Sequence, residues 1–178
     1  QGRRALAAMA GEALAKENKW TEAERAMRIA ARGTPPYSLQ HLEYTWQAMA
    51  ADLQQHGGKL QDLGLAQELV DCVRVVLDLS DKASRPLVHR YLGLGQGSLG
   101  DHQNAVNHLQ EALREVRTPA DLFIVNALCQ SLARMNRLDE IRRVLSAPVD
   151  DPRLAEKMTD MLQEFEAGQR RQKEQARP

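Results

Sequence analysis

Gly95, Gly97 and Gly100 stand in the order G-x-G-x-x-G within GLGQGSLGDHQNA, residues 93–105. That spacing lets a backbone turn cradle a dinucleotide pyrophosphate at the start of a helix. The chemistry has further requirements: a buried strand before the glycines, a helix after them, and an acidic residue about 20 positions on, at the end of a second strand. Asp121 sits at roughly that distance, but EVRTPA before it holds no apolar run for a second strand, and LVHRYLGL before the glycines is short and charged. Without its strands the motif is not a cofactor loop, and no cofactor is expected.

Other residue types that carry chemistry are scattered. His41, His56, His89, His102 and His108 lack the H-E-x-x-H pairing, and the six-residue step from His102 to His108 takes them off a common helix face, so no metal site is expected. No serine lies in G-x-S-x-G. Cys72 and Cys129 sit among apolar residues in DCVRVVL and NALCQSL, the setting of buried free thiols; Arg74 is two residues from Cys72 and points to another side of a helix. The carboxylates Asp150, Asp151, Glu164 and Glu166 read as helix caps and charged faces, and Arg142, Arg143, Arg170 and Arg171 as solvated faces. No catalytic constellation emerges, and the chain is read as no enzyme.

The elements that must position any site are helical. The 178 residues are 43% hydrophobic and 27% charged but only 4% aromatic, with abundant Ala, Leu, Gln, Glu and Arg, which favours one all-α domain. Lys plus Arg and Asp plus Glu number 24 each, so no broad positive field attracts nucleic acid. No apolar run approaches the ~20 residues of a membrane span, and Glu12 and Lys16 interrupt the first helix where a signal peptide needs an apolar stretch. A soluble chain of bacterial composition is expected, cytoplasmic in first preference and periplasmic if it is a piece of an exported protein; its start at Gln1 fits a piece of something longer.

A repeat orders these helices. Counting from Gly11, a turn residue follows at +7 (Asn18), a small residue at +12 (Ala23), an apolar one at +16 (Met27), a small one at +19 (Ala30) and Pro35 at +24. From Gly93 the same ruler lands on Gly100, Ala105, Leu109, Ala112 and Arg117, with Pro119 just beyond; from Cys129 it lands on Asn136, Ile141, Leu145 and Pro148. Apolar residues upstream of each origin recur at helical spacing, so each unit is two amphipathic helices and a short turn. The turns read NKW, LGD and MNR, where Asn or Gly ends a helix in the left-handed conformation, with Thr21, Asp101 and Asp139 near the next start. Residues 37–83 supply one more pair, with Trp46, Met49, Ala50 and Leu53 before the turn His56-Gly57-Gly58 and Ala66, Val70 and Val73 after it; KLQDLG adds about four residues, a further helical turn or a longer loop.

Trp46-Met49-Ala50-Leu53 and Gly11/Ala23/Met27/Pro35 follow the pattern W-x2-L-G-x2-Y, A-x3-F, P, and over residues 4 to 148 the chain resembles the tetratricopeptide repeat family. Ala7 and His89 stand where that family has a bulky residue, and Gln96 replaces an aromatic. The origins Gly11, Ala50, Gly93 and Cys129 lie 39, 43 and 36 residues apart, against about 34 in the family. The resemblance implies an α-solenoid of about four hairpins, in units 4–36, 37–83, 84–118 and 119–148, whose first helices line a concave face.

On that face the third unit would present Leu87, Arg90, Leu94 and Gly97, and the fourth Phe123, Asn126, Gln130 and Arg134. Apolar anchors beside amide and guanidinium donors suit a peptide or a partner helix. Packing of Leu87 and Phe123 against neighbouring helices is the equal alternative. Some family members grip a terminal carboxylate with a Lys and Asn clamp; Ala8 and Glu12 in the first unit do not reproduce it. After Pro148, Asp151 caps and Pro152 begins a helix to residue 168 with the stripe Leu154, Met158, Met161, Leu162 and Phe165, which covers the open end of the stack or meets a partner. Residues 169–178 read as a disordered basic tail. The expected function is a non-catalytic protein-interaction scaffold. A homodimeric spacer, and a regulatory domain in bacterial signalling, secretion or polysaccharide export, are its rivals.

Overall fold

A computed structural model describes residues 2–79, 85–116 and 118–175. Its helices are α1 (Gly2–Lys16), α2 (Trp20–Arg32), α3 (Leu39–Gln55), α4 (Leu63–Leu79), α5 (Arg85–Ser98), α6 (His102–Ala112), α7 (Leu122–Arg134), α8 (Leu138–Leu145) and α9 (Pro152–Gln175), with 3-10 turns at Leu113–Glu115 and Pro119–Asp121. Among the described residues there is no strand. Each helix packs on the next in the chain, which makes four stacked hairpins followed by a terminal helix.

Every hairpin closes in the same way, and the ruler fixes how. The residue at +7 has positive φ: Asn18 (59°), Gly57 (61°), Gly100 (85°) and Asn136 (58°). The following N–H then reaches back to the carbonyl at +3: Lys19 to Leu14 (2.9 Å), Gly58 to Leu53 (2.8 Å), Asp101 to Gln96 (2.9 Å) and Arg137 to Leu132 (2.9 Å). This left-handed close satisfies carbonyls that a helix end leaves orphaned, and only Gly and Asn adopt it cheaply. The second hairpin keeps the close although its sequence is longer. The added residues form a loop between α3 and α4, pinned where the buried Asp52 carboxylate accepts from the N–H of Gln61 (2.7 Å) and Asp62 (3.4 Å).

Close approach inside a hairpin also repeats. A Cβ on Gly11 would lie 2.7 Å from Met27 Cε, and one on Gly93 would lie 2.6 Å from Leu109 Cγ, so positions 0 and +16 face one another in the first and third units. Gly95 and Gly97, which the ruler does not reach, mark two further approaches. A Cβ on Gly95 would lie 2.8 Å from Val70 Cγ2 and 3.3 Å from the Ala66 carbonyl of α4, and one on Gly97 would lie 3.3 Å from Ser131 Oγ of α7. Gly93, Gly95 and Gly97 thus let α6, α4 and α7 close on α5, the middle rod of the stack, while Gly100, the last glycine of the G-x-G-x-x-G, makes the left-handed turn after it. Gly95 and Gly97 lie in a helix, with no strand before it among the described residues.

The core runs the length of the stack through Leu42, Leu69, Leu109, Leu128 and Leu132, all at 0% exposure. Each such leucine contributes about 1.5–3 kcal/mol relative to an exposed one. Leu154 and Met158 of α9 are buried in that core, and Met161, Leu162 and Phe165 pack against it, so the stripe covers the last hairpin. Asp151 caps α9, accepting from the N–H of Arg153 (2.8 Å) and Leu154 (3.3 Å). The helix runs past Gly168 to Gln175, where the sequence reading begins a disordered tail. Gln, Arg, Lys and Glu are good helix formers, and Arg170 pairs with Glu166 one turn back (3.8 Å), which carries the helix on. Arg117, residues 80–84 at the second boundary and residues 176–178 of the tail lie outside the described residues.

Candidate binding groove

A cleft of about 550 Å³ opens on the face shared by α3, α5 and α7, the first helices of the second, third and fourth hairpins. From α3 come Trp46, Ala50 and Leu53; from α5, Leu94, Gly97 and Ser98; from α7, Phe123, Asn126, Gln130 and Arg134. The loop before α4 closes one side with Lys59 and Leu60, and His102 lines the floor from the start of α6. Trp46 and Phe123 stack across it at 5.6 Å between ring centroids.

Six residues placed on the concave face by the sequence reading meet in this cleft: Leu94, Gly97, Phe123, Asn126, Gln130 and Arg134. Leu87 and Arg90 are not part of its lining. Leu87 packs half-buried against the core. Arg90 lies 5.5 Å over the Phe123 ring and pairs with Asp121 at 3.3 Å, so its guanidinium braces α5 on the start of α7. Phe123 packs half-buried against the core and also lines the cleft. Asp121, the residue at cofactor-acid distance, closes a capping box with Thr118.

The electrostatics of the cleft are one-sided. Lys59 and Arg134 line it, and none of the described lining residues carries a carboxylate, in a chain with 24 of them. His102 Nδ1 is buried there without a hydrogen-bond partner. The amides of Gln54, Asn126 and Gln130 add donors and acceptors between the apolar anchors. A second open cleft of about 520 Å³ shares Phe123 and Asn126 with the first and continues to Met161, Glu164 and Phe165 of α9.

Two further side-chain clusters lie outside the cleft. Thr34, His41 and Glu68 come together from the α2–α3 turn, α3 and α4: His41 Nδ1 lies 3.1 Å from Thr34 Oγ1 and 3.1 Å from the Ala31 carbonyl, and Nε2 lies 3.1 Å from Glu68 Oε1. The order hydroxyl, imidazole, carboxylate is that of an activated nucleophile. Here, however, the Thr34 hydroxyl donates to the Ala31 carbonyl (2.6 Å) and the residue is buried, so its proton is held by the end of α2. The cluster ties three helices together. The other cluster is His89 with His108, on α5 and α6, with Nδ1 atoms 2.8 Å apart.

Both cysteines are buried and free. Burial pushes the Cys129 thiol up to about 11, and burial followed by Glu68 raises Cys72, so neither is a thiolate at neutral pH. Tyr91 donates its hydroxyl to Glu43, with burial first and that carboxylate second keeping the phenol protonated. Among the described residues no three metal-ligating side chains converge, and no helix is long and apolar enough to cross a membrane.

Comparison of the chain with protein-family models, with curated proteins and with solved structures returns no match.

Proposed function

We propose that the protein is a non-catalytic interaction scaffold of the tetratricopeptide type that holds a peptide segment or partner helix in the cleft across α3, α5 and α7. The observation that carries this reading is the make-up of the cleft: stacked, half-buried Trp46 and Phe123 as apolar anchors over the buried Leu94, amides between them, and Lys59 and Arg134 with no carboxylate among the lining residues. Such a surface favours a segment with aliphatic or aromatic side chains flanked by Asp or Glu. Steering by the two cations raises the association rate, and burial of a few apolar anchors supplies the affinity.

The test starts from peptides selected out of a random displayed library and follows their binding by fluorescence anisotropy. Lys59→Glu with Arg134→Glu is expected to weaken acidic peptides by about tenfold or more, roughly 1.4 kcal/mol, with the wild-type affinity falling as salt rises. Leu94→Asp with Phe123→Ala, checked as helical by circular dichroism, is expected to abolish capture. Unchanged binding in both double variants rules the groove out.

A homodimer is the second reading, favoured by Leu6 and Met9 of α1, each 67% exposed on the first hairpin. Sedimentation velocity at several concentrations distinguishes the two, since a concentration-independent monomer that binds peptide removes the dimer.

A further inference from the structure

His89 and His108 meet across the seam between α5 and α6. Their ring centroids are 5.0 Å apart with planes 23° from parallel, and their Nδ1 atoms are separated by 2.8 Å. The centroid separation exceeds the nitrogen separation by about two ring radii, so the imidazoles meet edge to edge with both Nδ1 directions along one line. Only one proton fits on that line. In the neutral pair one Nδ1–H donates to the lone pair of the other, and with one added proton the bond becomes charge-assisted. With both rings protonated, two N–H groups point head to head and two positive charges share the contact.

We propose that His89 and His108 form a proton-sharing latch, which holds α5 against α6 while the pair carries at most one positive charge and loosens that seam when both rings are protonated. The charges that act on the pair come from its own two helices. Glu111 on α6 attracts protons to both rings, Asp101 at the cap of α6 does so for His108, and Arg85 at the start of α5 opposes protonation of His89. The neighbouring α4 and α7 add no such group among the described residues. Burial is the largest influence on each ring and outweighs Glu111, so both histidines are held below the ordinary value. The sign follows from linkage. Groups that resist protonation when folded stabilise the protein fully above pH 6.5, where the unfolded rings are neutral, and that stability is lost as pH falls from there through the folded values.

The repeat supports a built contact. His89 stands four residues before the Gly93 origin and His108 at +15; the same offsets give Ala7 and Ala26 in the first unit and Val125 and Val144 in the fourth, where the two valines line one pocket. The third unit alone fills this pair of positions with groups that titrate. Its helices also carry Leu94, Gly97 and Ser98 of the groove on α5 and His102 on α6, so opening the seam moves groove residues. That consequence rests on the groove being the binding surface, whereas the latch stands without it.

Two measurements test the latch in the intact chain. In uniformly 15N-labelled protein at pH 7.5, a through-hydrogen-bond coupling is expected between the two Nδ1 nuclei. Between pH 7.5 and 5.0 the melting temperature of the wild type is expected to fall by roughly 3–6 °C more than that of His89→Gln or His108→Gln, either of which removes the second charge. His41, His56 and His102 are present in every variant, so their contribution cancels in the comparison. Absence of the coupling overturns the shared proton, and equal pH slopes in wild type and both variants overturn the release.

Discussion

Gly93→Val is expected to destabilise the protein by about 3 kcal/mol, lowering its melting temperature by roughly 6–12 °C. A Cβ at this position meets Leu109 Cγ at 2.6 Å and the Ala105 carbonyl at 3.1 Å. The first is the branch carbon of a side chain with no exposure, and the second is α6 backbone, so neither gives way without moving the helix. Ending the glycine's conformational freedom returns less than about 1 kcal/mol, which the wedge exceeds. Gly97→Ala is the matched control on the same helix. Its Cβ finds Ser131 Oγ at 3.3 Å and Ala105 Cβ at 3.6 Å, contacts that a small shift absorbs, and it gains helix propensity. It is expected to fall within about 0.5 kcal/mol of wild type or above it. Urea midpoints at constant m read both, and equal stability of the two variants would show that α5 and α6 do not pack as closely as described.

The pair also shows what a single sequence reveals. Gly11, Gly93 and their partners at +16 are visible because a hairpin's two helices are neighbours in the chain, and a contact within one unit repeats in the next. Asn18, Gly57, Gly100 and Asn136 are visible for the same reason: each turn must pass through the left-handed region at one offset. Gly95 and Gly97 have no such signal. Their partners, α4 and α7, belong to the units before and after, and the angle at which units stack is not written in any one of them.

The same limit divides the groove residues. Leu94, Phe123, Asn126, Gln130 and Arg134 follow from helical period alone once α5 and α7 are known to be first helices. Arg90 has the right period but is taken up by Asp121, 31 residues on in another unit. Lys59 and Leu60 join the groove only because the longer second loop folds over it. His89 and His108 lie within one unit, and their offsets are a helix-pair contact in the ruler; ligand spacing along one helix does not reveal a pair that meets across a hairpin.

His41→Ala is expected to cost about 3 kcal/mol, because three separate partners lose one buried group. The imidazole is 7% exposed and lies within 3.1 Å of the Ala31 carbonyl at the end of α2, the Thr34 hydroxyl and the Glu68 carboxylate of α4. Removing it leaves a cavity between three helices and takes a donor from a helix-end carbonyl that has only the Thr34 hydroxyl and backbone N–H groups besides. Glu68→Gln keeps an acceptor at the same place on a side chain that is nearly half exposed, and is expected to cost about 1 kcal/mol or less. Thr34→Val removes the hydroxyl alone, with an expected cost of about 1 kcal/mol. If the three groups form one brace, the His41→Ala/Glu68→Gln double variant is less destabilised than the sum of its parts by about 0.5 kcal/mol or more, since the second change removes an interaction already gone. Strict additivity in that cycle, or a His41→Ala variant within about 0.5 kcal/mol of wild type, would mean that α2, α3 and α4 are held by apolar packing alone. A kcat for ester hydrolysis that disappears with Thr34→Val would refute the structural assignment altogether, because it would require the hydroxyl proton to reach His41 and not the Ala31 carbonyl.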